Sequence, residues 1–155
     1  MITFYLVGFF YGAAQDQMGG CNVFLMVRNS HYFCCWMGID NNTNNFSELV
    51  AVWTLLYWGN KHLIWDLRIF GDSRVVTDWI KGKSVLVASH LHQWCKRVND
   101  MFPLFSCLSF EHVFRQFNKE VDTLSKRALG CLISVLHYQE YVDRKEVVVG
   151  IIKVF

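Results

Sequence analysis

Phe70-Gly71-Asp72-Ser73 closes the apolar run Leu67, Ile69, Phe70 abruptly, on a glycine and a carboxylate. A strand is expected to stop there and a helix to begin at Arg74. An Asp at the carboxyl end of a buried strand sits on the rim of an α/β sheet, where such folds place their ligands. The same pattern fits a helix cap, because the short side-chain oxygen of Asp72 or Ser73 satisfies orphan backbone donors of the first turn. The surrounding chain has to decide between the two.

Immediately downstream, residues 74–80 form a short helix stopped by Gly82, and residues 85–101 carry apolar groups at helical spacing up to the single proline, Pro103. Residues 107–114 read as a fifth strand after the one over 63–70. Asn118 then caps a last long helix through Leu124, Ala128, Cys131, Leu132 and Val135. Asp122 falls in its first turn, where a negative charge is also favoured for structural reasons.

Upstream, residues 2–10 read as a strand and residues 11–14 lead into a polar turn ending at Gly19-Gly20. Runs 22–28 and 32–37, separated by Asn29-Ser30, complete an antiparallel meander. The Asn-rich loop 41–45 supplies a cap, after which Phe46, Leu49, Val50, Trp53, Leu56 and Tyr57 recur at helical spacing. Ala51, Val52 and Leu55 make the other face apolar too, so this helix is expected to be buried nearly all round. Glu48 lies within it. A carboxylate there is costly unless it is paired or bound to metal, or unless it sits exposed in the first turn and benefits from the helix dipole.

Composition limits the remaining choices. The chain of 155 residues fits one domain, and 53% apolar content with 18% charged residues argues for a filled core rather than disorder. No apolar run reaches the roughly 18 residues of a membrane span, and the first strand lacks the basic start of a signal peptide. Six cysteines show neither CxxC nor zinc spacing, so free thiols in a reducing, intracellular compartment are expected, nucleus or cytoplasm being indistinguishable. A net charge of +2 does not announce nucleic acid, although residues 61–127 hold 11 Lys+Arg against 7 Asp+Glu, a mildly basic middle compatible with phosphate contact or with solvated helix faces. Residues 146–155 read as an extra strand. The organisation is therefore one domain over 1–142 with an extension over 143–155, and a monomer is the default.

The element order is β-β-β-α-β-α-α-β-α. With the strings Thr43-Asn44-Asn45-Phe46-Ser47-Glu48-Leu49, Gly71-Asp72-Ser73 and the stretch from His112 through Asp122 to Ser125, it resembles the ribonuclease H family, most closely its plant, retrotransposon-derived branch. The resemblance runs from about residue 4 to residue 130. It implies an α/β fold with a five-stranded mixed sheet, three antiparallel strands followed by two parallel ones, and helices on both faces.

The resemblance also implies Mg²⁺-dependent hydrolysis of the RNA strand of an RNA–DNA hybrid, with two ions roughly 4 Å apart. Glu48, Asp72 and Asp122 are the implied metal ligands and catalytic carboxylates, since Mg²⁺ takes hard oxygen donors from converging elements. Asn45, Arg115, Lys119, Lys81 and Lys83 are the implied nucleic-acid contacts. One member departs from the pattern: where the first-strand motif has Asp-Gly-Ala after an aromatic, Phe10-Tyr11-Gly12-Ala13 puts Tyr11. A phenol with a reference pKa near 10 is neutral at pH 7, so weakened or single-ion binding and impaired or absent nuclease activity are expected. Asp16, in the turn, is a poor substitute without a strand's fixed geometry. Asn22 and Phe24 stand where the family has glycines that admit substrate closely, which puts hybrid docking in question as well. His112 is expected on the fifth strand, packing near the site, with proton shuttling as the alternative. Arg115 either holds a phosphate or is a solvated loop residue, and Trp53, Trp79 and Trp94 fall at core positions. The alternatives to a hybrid nuclease are a non-catalytic nucleic-acid-binding module, and a decaying or protein-interaction copy with no nucleic-acid role.

Overall fold

The computed structural model describes residues 6–15, 18–28, 30–39, 43–86, 91–113, 131 and 135–154. Three antiparallel strands open it: β1 (Leu6–Gln15), β2 (Met18–Arg28) and β3 (His31–Ile39). The helix α1 (Asn44–Lys61) follows, then β4 (Asp66–Gly71), α2 (Arg74–Ile80), α3 (His92–Met101), a 3₁₀ turn at Phe102–Leu104 and β5 (Cys107–His112). β4 runs parallel to β1, and β5 parallel to β4. The expected meander with two appended parallel strands is therefore present.

Among the described residues the sheet holds seven strands, not five. β6 (Val135–Val142) pairs antiparallel with the free edge of β3, and β7 (Lys145–Lys153) pairs with β6, giving the order β5-β4-β1-β2-β3-β6-β7. Val135, expected at the end of the last helix, starts β6 instead, because Leu136 buries against the outer side of β3 in register with Met37. The two turn residues Asp143 and Arg144 both have positive φ, 52° and 65°, the backbone of a two-residue hairpin. Other boundaries shift modestly. β1 continues through Gln15 where a turn was expected, the fourth strand starts at Asp66 after Leu63 adopts a φ of 59°, and Val85 is exposed and outside α3. The last helix capped by Asn118, with Asp122, Arg115 and Lys119, lies outside the described residues, as does Asp16.

Alternation along the strands sorts the sheet into two faces. Phe10, Val23, Leu25, Phe33, Met37, Leu67 and Ile69 pack with Leu49, Val52, Leu55 and Leu56 of α1 in the main core. The opposite face carries a smaller cluster of Tyr11, Phe24 and Cys34, flanked by Phe9, Met26, Tyr32 and Tyr141. Trp53 and Trp94 meet edge to face at 5.7 Å where α1 meets α3, and Trp79 packs on the same core, so these indoles serve packing as expected. None of the six cysteines is in a disulfide. Among the described residues no helix is long and apolar enough to cross a membrane.

Candidate active-site cleft

The question left open at Asp72 resolves locally. Ser73 is the N-cap of α2, its Oγ accepting from the Val76 N–H at 3.3 Å, so Asp72 does not act as the cap. Gly71 ends β4 directly over the Phe10 ring, where a Cβ would come within 2.2 Å. Asp72 therefore leaves the sheet beside the place where β1 passes under α1.

α1 is brought to that place by a second close approach. A Cβ on Gly12 would lie 2.2 Å from the Glu48 backbone N and from the Ser47 carbonyl carbon, so only glycine lets the helix rest its backbone on β1 here. Thr43 caps α1 through Oγ1, which accepts from Phe46 N–H at 3.3 Å. Asn44 ties helix to strand, its Oδ1 accepting from the Ala14 N–H at 3.0 Å. Glu48 is the fifth residue of the helix, with only 6% of its surface exposed. The exposed first-turn reading of Glu48 does not apply, and its carboxylate is held by a buried helix rather than by a loop.

Together these elements form a cleft of about 230 Å³ lined by Tyr11, Gly12, Asn44, Asn45, Glu48, Asp72 and Ser73. Four residues singled out in sequence, Tyr11, Asn45, Glu48 and Asp72, meet there. Gly12, Asn44 and Ser73 were not assigned site roles in sequence. Asn44 had a legible signal, as the first residue of the Asn-Asn pair from which only Asn45 was selected. Lys81 and Lys83 are exposed at the far end of α2, about 10 Å along its axis from Ser73, and do not line the cleft.

Tyr11 is 7% exposed and belongs to the apolar cluster with Phe24 and Cys34 as well as to the cleft wall. Asn22 is its cross-strand neighbour and is fully buried, with no hydrogen-bond partner for either amide atom among the described residues. Phe24 stacks on Tyr32 at 5.0 Å and meets Phe9 edge to face at 6.2 Å. Tyr11, Asn22 and Phe24 thus form one contiguous block on one face of the sheet. Asn22 and Phe24 are both buried.

His112 lies on β5, as expected. Its Nε2 is 3.2 Å from the Asp72 carbonyl oxygen and its Nδ1 is 3.3 Å from Nη2 of Arg74. Val113 N–H donates to the Gly71 carbonyl at 2.9 Å, so the segment bearing Asp72 is held along its length.

The cleft lining includes two carboxylate residues, Glu48 and Asp72, oxygen donors of the kind a hard divalent cation takes. Among the described residues no three His, Cys, Asp or Glu side chains group closely enough to hold a metal.

Residues 10–128 match the sequence profile of the family described as reverse transcriptase-like. A search of curated proteins finds no match. Among solved structures, the chain is similar to RNase H1 from the halophilic archaeon Halobacterium salinarum, with a TM-score of 0.74 at 22% identity, covering 81% of this chain and 97% of that one. It is also similar to the N-terminal RNase H domain of Rv2228c from Mycobacterium tuberculosis, with a TM-score of 0.72 at 17% identity over 81% and 94% of the two chains. A third, LC11-RNase H1 in complex with an RNA/DNA hybrid, gives 0.67 at 18% identity over 80% and 96%. At these identities the likeness establishes the fold.

Proposed function

The chain belongs to the reverse transcriptase-like family of ribonuclease H-like domains, and on that premise we propose that its cleft receives an RNA–DNA hybrid and holds one Mg²⁺-like cation, binding the duplex better than cutting it. The observation that carries this reading is the meeting of Glu48 and Asp72, from two separate elements, in a cleft walled by Tyr11.

Glu48 and Asp72 would hold the cation, with Asp122 as the third carboxylate the family pattern implies. When bound, such an ion activates water and stabilises the leaving oxygen. Three carboxylates bring −3 against the +4 of two ions, and the neutral Tyr11 phenol adds hydrogen bonding but no charge. Buried α1 fixes the Glu48 carboxylate, and the Ser73 cap leaves Asp72 for the cleft. Asn45, exposed at the cleft mouth, is placed to meet the sugar-phosphate backbone. Arg115 and Lys119 are assigned phosphate contacts by the family pattern, and Lys81 and Lys83 would reach backbone further along a bound duplex.

The test is hybrid binding across a salt series, beside hybrid cleavage with Mg²⁺ and with Mn²⁺, for the wild type and Tyr11→Asp. Binding should weaken as salt rises, because phosphate contacts release counterions, and cleavage should be at least about 100-fold faster in the variant. Equal cleavage by the two proteins would refute the role given to Tyr11. A second reading, a copy kept for protein contact, draws on the exposed Val147, Val149 and Ile151 of β7. Failure to retain hybrid even at low salt would favour it.

A further inference from the structure

Both ring nitrogens of His112 are engaged by the segment that carries Asp72, and the chemistry of the partners fixes how. The Asp72 carbonyl oxygen at 3.2 Å only accepts, so Nε2 carries the proton. The Arg74 guanidinium at 3.3 Å only donates, so Nδ1 is the bare acceptor. One neutral tautomer satisfies both contacts at once. Both nitrogens thus take part in holding the ring against the Asp72 segment.

We propose that His112 is a positioning residue for Asp72: the Nε2–H fixes the peptide plane between Asp72 and Ser73, and with it the direction in which the Asp72 carboxylate leaves the backbone. The neighbouring anchors make this plane the one that matters. Gly71 is held on one side by Val113 N–H and by the Phe10 ring beneath it, and Ser73 on the other by its cap to Val76. The Asp72 carbonyl lies between them, and His112 on β5 reaches it from the strand next to β4. Arg74 takes the other ring nitrogen, which orients the imidazole so that Nε2 faces the carbonyl. Carboxylates that bind cations lose function with displacements of about an ångström, and groups that orient metal ligands through hydrogen bonds typically contribute 10- to 100-fold in affinity.

The inference rests on the reading that Asp72 is a cation ligand, and the test separates the two. Mn²⁺ affinity of the full chain is measured by electron paramagnetic resonance for the wild type, His112→Gln, His112→Asn and His112→Leu, each also in the Tyr11→Asp background. Gln places an N–H where Nε2 stood and keeps the Asp72 contact. Asn places an acceptor where Nδ1 stood and keeps only the Arg74 contact. Gln is expected within about 3-fold of the parent, with Asn and Leu weaker by roughly 10- to 100-fold, while thermal midpoints of Gln and Asn stay alike. Equal losses in Gln and Asn, or parental affinity in Leu, would overturn the proposal while leaving the cation site intact. Binding only in the Tyr11→Asp background removes the single-ion reading, and the order of variants there decides the role of His112. Absence of binding in both backgrounds removes the cation reading and the role of His112 with it. An imidazole ¹⁵N spectrum of the metal-free protein with the proton on Nδ1 overturns the proposal whatever the metal does.

Discussion

Replacing Gly12 with alanine should damage this protein at the point where its first helix rests on the sheet. The new Cβ would stand 2.2 Å from the backbone of Ser47 and Glu48, whereas ordinary contact begins near 3.4 Å. The first turns of α1 must therefore retreat by about 1.2 Å, and backbone atoms cannot swing aside as a flexible side chain would. Overpacking of this kind costs about 1–3 kcal/mol, and the contact here is with the main chain, so the upper end applies. For a chain of this length each kcal/mol lowers the melting midpoint by roughly 2–4 °C, which gives a fall of about 6–12 °C. The same retreat carries Glu48 away from Asp72, so in the Tyr11→Asp background hybrid cleavage should drop by about 100-fold beyond any loss of folded protein. Thermal unfolding followed by circular dichroism, with cleavage measured well below the transition, reads both effects. A Gly12→Ala protein that melts within about 1 °C of its parent would refute the close approach of α1 to β1.

Other outcomes follow from single contacts. Ser73→Ala removes the cap of α2 and should cost about 1 kcal/mol in urea unfolding while leaving Mn²⁺ affinity within about 3-fold, whereas Asp72→Asn should do the reverse. Burial pushes the Cys21 thiol up to about 12 despite its contact with Thr54, and raises Cys35 well above its ordinary value. Alkylation of the native protein at about pH 8 should therefore mark exposed Cys107 first and spare both buried thiols until unfolding, as mass spectrometry would show. Packing against Phe33 and Trp58, with ring centroids 4.5 and 4.6 Å away, desolvates His62 and holds its pKa below 6.5; nearby Glu140 opposes this, and Lys61 and His31 add to it. The unfolded chain then takes up the proton first, so stability should fall as pH drops below about 6.5, and His62→Gln should flatten that part of the urea-midpoint profile.

What could be read from sequence, and what could not, divides along physical lines. α1 and α2 were legible because an apolar period of 3.6, a capping residue and a stop are all local signals. Glu48 was legible as a carboxylate within an apolar run, and Asp72 as a carboxylate that closes one directly after a glycine. β6 was not legible, since Val135 continues the helical spacing of Ala128, Cys131 and Leu132, and only the free edge of β3, far away in sequence, makes the segment a strand. The hairpin turn hid for a related reason: positive φ at two successive residues usually announces itself through Asn or Gly, and here Asp143 and Arg144 adopt it. Gly12 shows the same limit from the other side. Its presence in a first-strand motif was readable, but its contact with Ser47 and Glu48 depends on the way α1 crosses β1.

The Tyr11, Phe24 and Cys34 cluster has a consequence for how folding couples to ions. Carboxylates that converge on a small cleft repel one another, and a divalent cation that relieves the repulsion stabilises the native state by mass action. Tyr11 takes one charge out of that convergence and adds an aromatic ring to an apolar face. On the proposed reading the metal-free cleft carries less repulsion to relieve, so the chain should fold in the presence of chelator, and excess Mg²⁺ should raise the melting midpoint only by what the binding of one ion contributes, and by more in Tyr11→Asp.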